Sequence, residues 1–492
     1  MAEPLLDKQK EEPESSSSSI GQAGLFSKLI FSWINPLLSL GYSRALTLAD
    51  VPPLDSEDEA EFSYQRFSDV WDSLLRENGS SGSGNFAFQA IKKVHMNENV
   101  LIAFYTLLRT LSVVVSPLIL FAFVEYLTGN ERNLRDGVTI VGLLIVCKVF
   151  ESLGQRHWFF ESRRSGMKMR SALMAAVYRK LLKLSSLGRM NHSAGEIVNY
   201  IAVDAYRMGE FPWWFHTSWA SGLQLVLSIA VLFWVVGAGA FLGLVPLIIC
   251  GFLSVPFAKS LQKCQFHFMV AQDERLRSTS EVLNNMKIIK LQSWEEKFQS
   301  LIDSLREKEF KWLKEMQMQK TYNSILYWIY PTIVSAVVFY GCVLFQSSPL
   351  NASTIFTVLA TMRTVSEPMR MLPEALSILI QVKVSFDRLN TFLLDDELNK
   401  NEVIENSSND LDKMIKIRNG NFAWDPESGT LTLKEVDLDI ERGQKVAVCG
   451  SVGAGKSSLL LAILGEIPKL TGSVSLDHIW HGKKMHHICF EN

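Results

Sequence analysis

Between Gly450 and Ser457 the chain reads GSVGAGKS, with glycines at 450, 453 and 455, a lysine at 456 and hydroxyls at 457 and 458. Glycines at that spacing let successive backbone N–H groups turn inward around phosphate oxygens, and a helix opening directly afterwards adds partial positive charge. Gly450, Ser451, Val452, Gly453, Ala454 and Gly455 make the cradle. Lys456 brings a full charge to terminal phosphates, and Ser457, with Ser458 beside it, brings a hydroxyl suited to Mg²⁺ held by the nucleotide. ATP and Mg²⁺ are the expected ligands, and no residue is assigned a catalytic role.

A loop of this kind joins a strand to a helix. KVAVCG, ending at Gly450, reads as a buried strand, and the apolar run from Lys456 as a helix. Strand-like alternation begins at Met414, with turns expected at Gly420 and Gly429. Residues 414–475 are therefore expected to be part of an α/β nucleotide domain, reached through a linker at 396–413. Trp424 offers an indole face that either stacks on a purine or packs a strand end.

The rest of the chain is of another kind. Hydrophobic residues make up 48% of the 492 and charged residues 20%. Six apolar segments, near 99–127, 137–160, 211–236, 238–258, 324–346 and 353–380, reach the roughly 20 residues that a bilayer span needs. Lys+Arg (49) and Asp+Glu (51) nearly cancel, which argues against a nucleic-acid partner. Basic residues cluster after the second and fourth spans, placing those connections and both termini in the cytosol of a multi-pass protein. Helical periodicity continues through the connections, so the spanning helices are expected to run on the order of 45 Å beyond the membrane. The six cysteines form no C-x-x-C pair, and Cys147, Cys250 and Cys342 sit in apolar runs as small hydrophobes.

The flanks read differently. Residues 1–23, with a serine run, are expected to be a disordered leader. Residues 24–54 form an amphipathic segment for a membrane surface, broken at Asn35-Pro36. Residues 55–85 read as an acidic flexible linker ending in NGSSGSGN. The tail, 476–492, carries His478, His481, His486, His487 and Cys489 at spacings that fit no zinc pattern.

Charges inside spans are expensive and face a pathway or a partner. Arg109 lies in the first span, Lys148 within reach of Glu151 in the second, and Arg363, Glu367 and Arg370 on one face of the sixth. Arg109, Arg363 and Arg370 are candidates for meeting a substrate, with ion pairing among Arg363, Glu367 and Arg370 as the competing reading. Trp213, Trp214 and Trp219 read as interface anchors.

FSWINPLL, GEIVNYIAVDAYRM, KIIKLQSWEEKF, FAWD and GSVGAGKSSLLLAILGEIPK together resemble ABC transporters of subfamily C, the multidrug-resistance-associated type, in their plant form. The resemblance runs from about Gly24 to Ser475. It implies a membrane α-helical fold: a six-span type-1 exporter domain at 86–395, preceded by a lasso at 24–54 and followed by a partial P-loop nucleotide domain. It also implies coupling helices in GEIVNYIAVDAYRM and KIIKLQSWEEKF, base stacking by Trp424, and ATP-driven export of organic anions, glutathione conjugates or xenobiotics across a vacuolar or plasma membrane. Beyond Ser475 it implies a signature motif, an acidic strand motif and a switch histidine, then a second membrane and nucleotide half. These would be required partners for hydrolysis, which this chain alone is not expected to perform. The alternative is a truncated, non-catalytic membrane protein that binds or regulates a transporter.

Overall fold

The computed structural model describes residues 20–78, 84–129, 133–184, 192–395, 397, 403–405, 413–424, 430–441 and 443–476. Most of the expected leader, residues 79–83 of the glycine and serine run, Gly429 and the tail with its histidines and Cys489 lie outside them. In chain order the α-helices are α1 (Leu25–Leu29), α2 (Asn35–Ser43), α3 (Ala60–Asn78), α4 (Phe86–Val94), α5 (Met96–Thr128), α6 (Leu134–Lys183), α7 (Ala194–Asn199), α8 (Ala205–Gly209), α9 (Phe211–Val236), α10 (Ala240–Asn284), α11 (Met286–Leu291), α12 (Glu295–Phe345), α13 (Ala352–Leu394) and α14 (Lys456–Ile463). Two compact units result, Met1–Pro52 with Asn97–Arg164 and Phe211–Ile380, and Pro53–Met96 with Ser165–Glu210 and Gln381–Asn492.

The first unit is the membrane part. Among the described residues four helical stretches are long and apolar enough to cross a bilayer: Met96–Thr128, Leu134–Lys183, Gly195–Asn284 and Glu295–Phe345. The third holds two of the expected spans, parted by a 3-10 turn at Gly237–Gly239 where Gly237 takes a φ of 64°. The sixth expected span opens α13, and Arg363, Glu367, Arg370 and Glu374 make it too charged to qualify by composition alone. The helices run well past the spans, as the periodicity predicts: α6 has 50 residues and α12 has 51, each about 75 Å long.

Packing is inverted relative to a water-soluble protein. Large apolar side chains such as Trp234, Phe241, Ile248 and Val343 face outward, where lipid removes the penalty that water would impose. Inside, Leu232, Val236, Leu247, Tyr330, Val338 and Met362 belong to one buried cluster. Glycines let the helices approach. A Cβ on Gly243 would lie 2.3 Å from Val338 Cγ2, and one on Gly341 2.6 Å from the Gly239 carbonyl. Ser347 ties the α9–α10 turn to the end of α12, its hydroxyl donating to Val236 O (2.9 Å) and accepting from Gly239 N (3.2 Å).

The surface segment is anchored by one histidine. His157 Nε2 donates to the Leu29 carbonyl at 2.8 Å, and its ring lies between Phe31 (4.7 Å) and Tyr105 (4.8 Å). The break comes earlier than expected, at Phe31 with a φ of 56°, and Pro36 opens α2 instead of merely ending what precedes it. Leu25, Phe26, Leu38 and Tyr42 remain exposed, as befits a membrane surface. Farther on, the Thr47 N–H and hydroxyl hold the Asp50 carboxyl below the usual carboxylate range, Arg44 adding to the effect.

The second unit corrects the linker reading. Residues 60–78 form α3, which buries Phe67, Trp71 and Leu74 and packs against α4. Those positions repeat at i, i+4 and i+7, a helical stripe that the acidic composition around it masks. The buried Lys168 pairs with the buried Asp58 at 3.2 Å, and Arg179 pairs with Glu61 at 2.6 Å while lying over Tyr64. Asn85 caps α4 by accepting from Phe88 N (3.0 Å) and donates to Asp387 (2.7 Å).

GEIVNYIAVDAYRM becomes α7, a π turn over Tyr200–Asp204, and α8. Ser193 and Glu196 close a capping box at its start. Asp204, buried, accepts from Ser385 Oγ at 2.6 Å. Burial pushes the Tyr200 hydroxyl up in pKa, with Glu196, Asp204 and Asp395 acting in the same direction and Arg388 against it. At the end of α8 a Cβ on Gly166 would lie 2.0 Å from the Gly209 carbonyl, so α6 and α8 touch backbone to backbone.

The same unit carries a four-stranded sheet of β1 (Val403–Glu405), β2 (Lys413–Phe422), β3 (Leu433–Glu441) and β4 (Lys469–Leu476), in the order β1-β4-β2-β3. β1 pairs parallel with β4, and β2 antiparallel with both β3 and β4. Two expectations are corrected here. The 396–413 segment, read as linker, contributes β1. Gly420, read as a turn, lies inside β2 at an irregular register beside Asn419, whose φ is 47°.

Candidate functional site

The phosphate loop is built on α14. Gly455, at φ 86°, hands the chain into the helix at Lys456, and Gly453, at φ 87°, makes the bend before it. Both conformations are ones that side-chain-bearing residues rarely adopt. α14 is held by a small core in which Ala462 and Ile463 pack with Ile415, Ile417, Phe422, Ile467 and Val474.

Lys456 folds back over its own loop, Nζ donating to Gly450 O at 2.9 Å and to Ser451 O at 2.8 Å. Ser451, Val452, Gly453, Ala454 and Ser457 are exposed, and Ser458 is half-buried. Those are the features a polyphosphate cradle requires: left-handed glycines, a lysine reaching the loop, accessible backbone and a hydroxyl at the start of the helix. The residues present therefore fit ATP with its Mg²⁺. Among the described residues no group of three or more His, Cys, Asp or Glu is placed to hold a metal by itself.

KVAVCG is not a strand. Residues 443–450 have no ladder partner among the described residues and are exposed, Val446 at 48%. The apolar run is the right material for a central strand, but a strand exists only with neighbours to pair it, and none of the four strands does so.

Trp424 follows β2, two residues beyond Phe422, which pairs with Leu433. A Cβ on Gly455 would sit 3.1 Å from Leu433 Cδ2, so the hairpin end that carries Trp424 is also the end that meets the phosphate loop. The indole is half-buried against the sheet core. Trp424→Ala is expected to weaken ATP binding about tenfold, equivalent to ~1.4 kcal/mol of stacking, whereas Trp424→Phe stays within about threefold. Fluorescent-ATP titration checks this, and thermal melting of both variants separates stacking from lost core contact.

The span charges are arranged otherwise than their spacing suggests. Arg109, 6% exposed, donates to Glu367 Oε1 at 2.6 Å, taking the carboxylate that the spacing on α13 offers to Arg363 and Arg370. Gly154 brings α6 against α5 here, since a Cβ on it would lie 3.0 Å from Arg109 N. Arg363 and Arg370 are both exposed. Lys148 pairs with Glu151 at 2.7 Å.

Arg109 also heads a stack. Its guanidinium lies 5.3 Å from the Trp158 ring, Trp158 stacks on Trp213 at 4.3 Å, and Arg163 lies 5.2 Å from Trp213. Trp213 is thus a packed residue and not a lone interface anchor. Trp219 donates its indole N–H to His216 Nδ1 at 3.1 Å. Trp158 carries no signal in the sequence beyond being aromatic, because its partners lie on other helices.

Residues 100–369 match the family model of the ABC transporter transmembrane region, and residues 433–489 match that of the ABC transporter. The chain is 39% identical to ABC transporter C family member 5 of Arabidopsis thaliana over 92% of its own length and 30% of that protein's. It is 38% identical to C family member 3 of the same plant, over 92% and 30%. To the C family transporter MRP4 of Zea mays it is 37% identical, over 96% and 31%. The chain thus spans about a third of the length of the curated relatives it matches.

Proposed function

The chain belongs to the ABC transporter family, and on that premise we propose that it is the first membrane domain and the opening of the first nucleotide domain of an exporter of organic anions, glutathione conjugates or xenobiotics. The observation that carries this reading is the phosphate loop, with Lys456 seated on its own carbonyls, in the same chain as a transporter membrane region. Lys456, now on the Gly450 and Ser451 carbonyls, would hold the terminal phosphates, Ser457 would offer its hydroxyl to Mg²⁺, and Trp424 would stack on the base. ATP, when bound, supplies the free energy of its terminal phosphoanhydride. The acid and signature residues that complete the site belong to the rest of the transporter.

α7, the π turn, α8 and α11 are the segments through which nucleotide binding moves the spans. The basic connections favour the cytosolic side for these segments and for both ends of the chain, and the membrane in this reading is the vacuolar or the plasma membrane. Arg363 and Arg370, exposed on one face of α13, make the first contact with the anion. Arg109, already neutralised by Glu367, stands behind them.

Vesicle uptake of a glutathione conjugate, with this chain co-expressed beside one that supplies the remaining domains, tests the reading. Arg363→Ala combined with Arg370→Ala is expected to raise KM for the conjugate about tenfold while leaving ATP binding unchanged. An unaltered KM removes these arginines from the path. Absence of ATP-dependent uptake with the wild-type pair overturns export.

A further inference from the structure

α9 is apolar over most of its length, yet Thr217, Ser221, Gln224 and Ser228 recur along it at steps of four, three and four residues. All four are buried, Gln224 at 2% exposed. Polar groups inside a spanning helix are unfavourable unless bonded, so a buried stripe of them points at something that needs a partner.

What Gln224 meets is a carbonyl. Its Nε2 donates to Thr364 O on α13 at 2.8 Å. In an α-helix that oxygen accepts from the N–H four residues later, and there stands Pro368, which has none. Gln224 therefore supplies, from another helix, the donor that the proline withholds. Ser228, one turn on, holds the same residue: its hydroxyl lies 3.2 Å from Thr364 Oγ1, which in turn donates to Thr361 O at 2.8 Å. The approach to the proline is already loosened, since the Thr361 and Ser366 hydroxyls bond back to carbonyls four residues earlier, an arrangement that bends helices. Next to the proline, Glu367 is held by Arg109 of α5 at 2.6 Å. Arg363 lies one residue before the opened carbonyl and Arg370 two residues after the proline. The break falls between the two arginines, and the side chain that closes it governs how they stand relative to each other.

We propose that Gln224 is a positioning residue for the anion contact, an inference that rests on reading Arg363 and Arg370 as that contact: by donating to the Thr364 carbonyl it fixes the bend of α13 at Pro368 and so the separation of the two arginines. Gln224 is buried and acts only through α13.

The test is a double-substitution cycle in the full chain, co-expressed in vesicles with the remaining domains and read by uptake of a glutathione conjugate and by thermal melting. Gln224→Met keeps the length of the side chain and removes its donor. It is expected to raise KM about fivefold with kcat within about twofold, and to lower Tm. Pro368→Ala returns an N–H to Thr364 O, so in that background the same substitution should move KM by less than about 1.5-fold and leave Tm where it was. Equal losses in both backgrounds mean that Gln224 only packs, and overturn the proposal. If Gln224→Met alone does not accumulate, accumulation of the double variant upholds the proposal and failure of both overturns it. KM unmoved in Gln224→Met while Arg363→Ala with Arg370→Ala raises it overturns the positioning role alone. KM unmoved in both overturns the arginine contact and the positioning role with it.

Discussion

Lys456→Ala is expected to weaken ATP binding by about a hundredfold or more, some 3 kcal/mol, because a charge-assisted contact to phosphate is worth about 1.5–3 kcal/mol and the lysine reaches more than one oxygen. Its Nζ already donates to two loop carbonyls, at 2.9 and 2.8 Å, so it is placed within reach of whatever the loop encloses. The same two bonds predict a second consequence: without the lysine, the Gly450 and Ser451 carbonyls face solvent and the loop opens. Lys456→Arg keeps the charge but brings a planar fork where a compact ammonium is seated, and should recover only part of the affinity. Photolabelling with an azido-ATP in membranes checks both variants. Binding by Lys456→Ala within threefold of the parent would remove the loop from nucleotide recognition.

Gly166→Ala carries the largest expected effect on the fold. The new methyl would sit 2.0 Å from the Gly209 carbonyl, and the obstacle is backbone, which cannot swing aside like a long side chain. α6 and α8 must separate, at a cost of about 3 kcal/mol or more, at the upper end of overpacking effects. Gly142→Ala, on the same helix, meets nothing within 4 Å and is expected to be neutral or slightly stabilising. Thermal aggregation of the two detergent-solubilised variants, compared with the parent, reads the difference as a large fall in Tm for one and none for the other. Equal melting of all three would mean that the α6–α8 contact is looser than described.

What the sequence revealed followed the range of the interaction involved. The phosphate loop is local, eight residues whose conformation their own glycines set, and its helix begins at Lys456 as the spacing predicts. The long extensions of α6, α10 and α12 were legible because helical periodicity needs no partner. α3 was missed because its acidic surface dominated the composition, although Phe67, Trp71 and Leu74 carry the periodic signal. The Arg109–Glu367 pair spans 258 residues of sequence, and spacing on α13 alone favoured Arg363 and Arg370. β1 failed for a related reason: a three-residue strand owes its existence to parallel pairing with β4, and nothing in Val403–Glu405 announces that neighbour. KVAVCG failed in the opposite direction, since strand-forming residues do not make a strand without one.

The π turn at Tyr200–Asp204 sets a phase. A π turn holds one residue more than an α turn, so every side chain after it is rotated by about 100° from where an uninterrupted α-helix would put it. Gly209 lies five residues past that turn, and it is the only side-chain-free position of α8 to present to Gly166. Removing a single residue from the turn would restore a regular helix and at the same stroke present a neighbour of Gly209, with its side chain, to the α6 backbone. The inserted residue therefore works as an index mark, fixing the angle at which α8 enters its contact with α6.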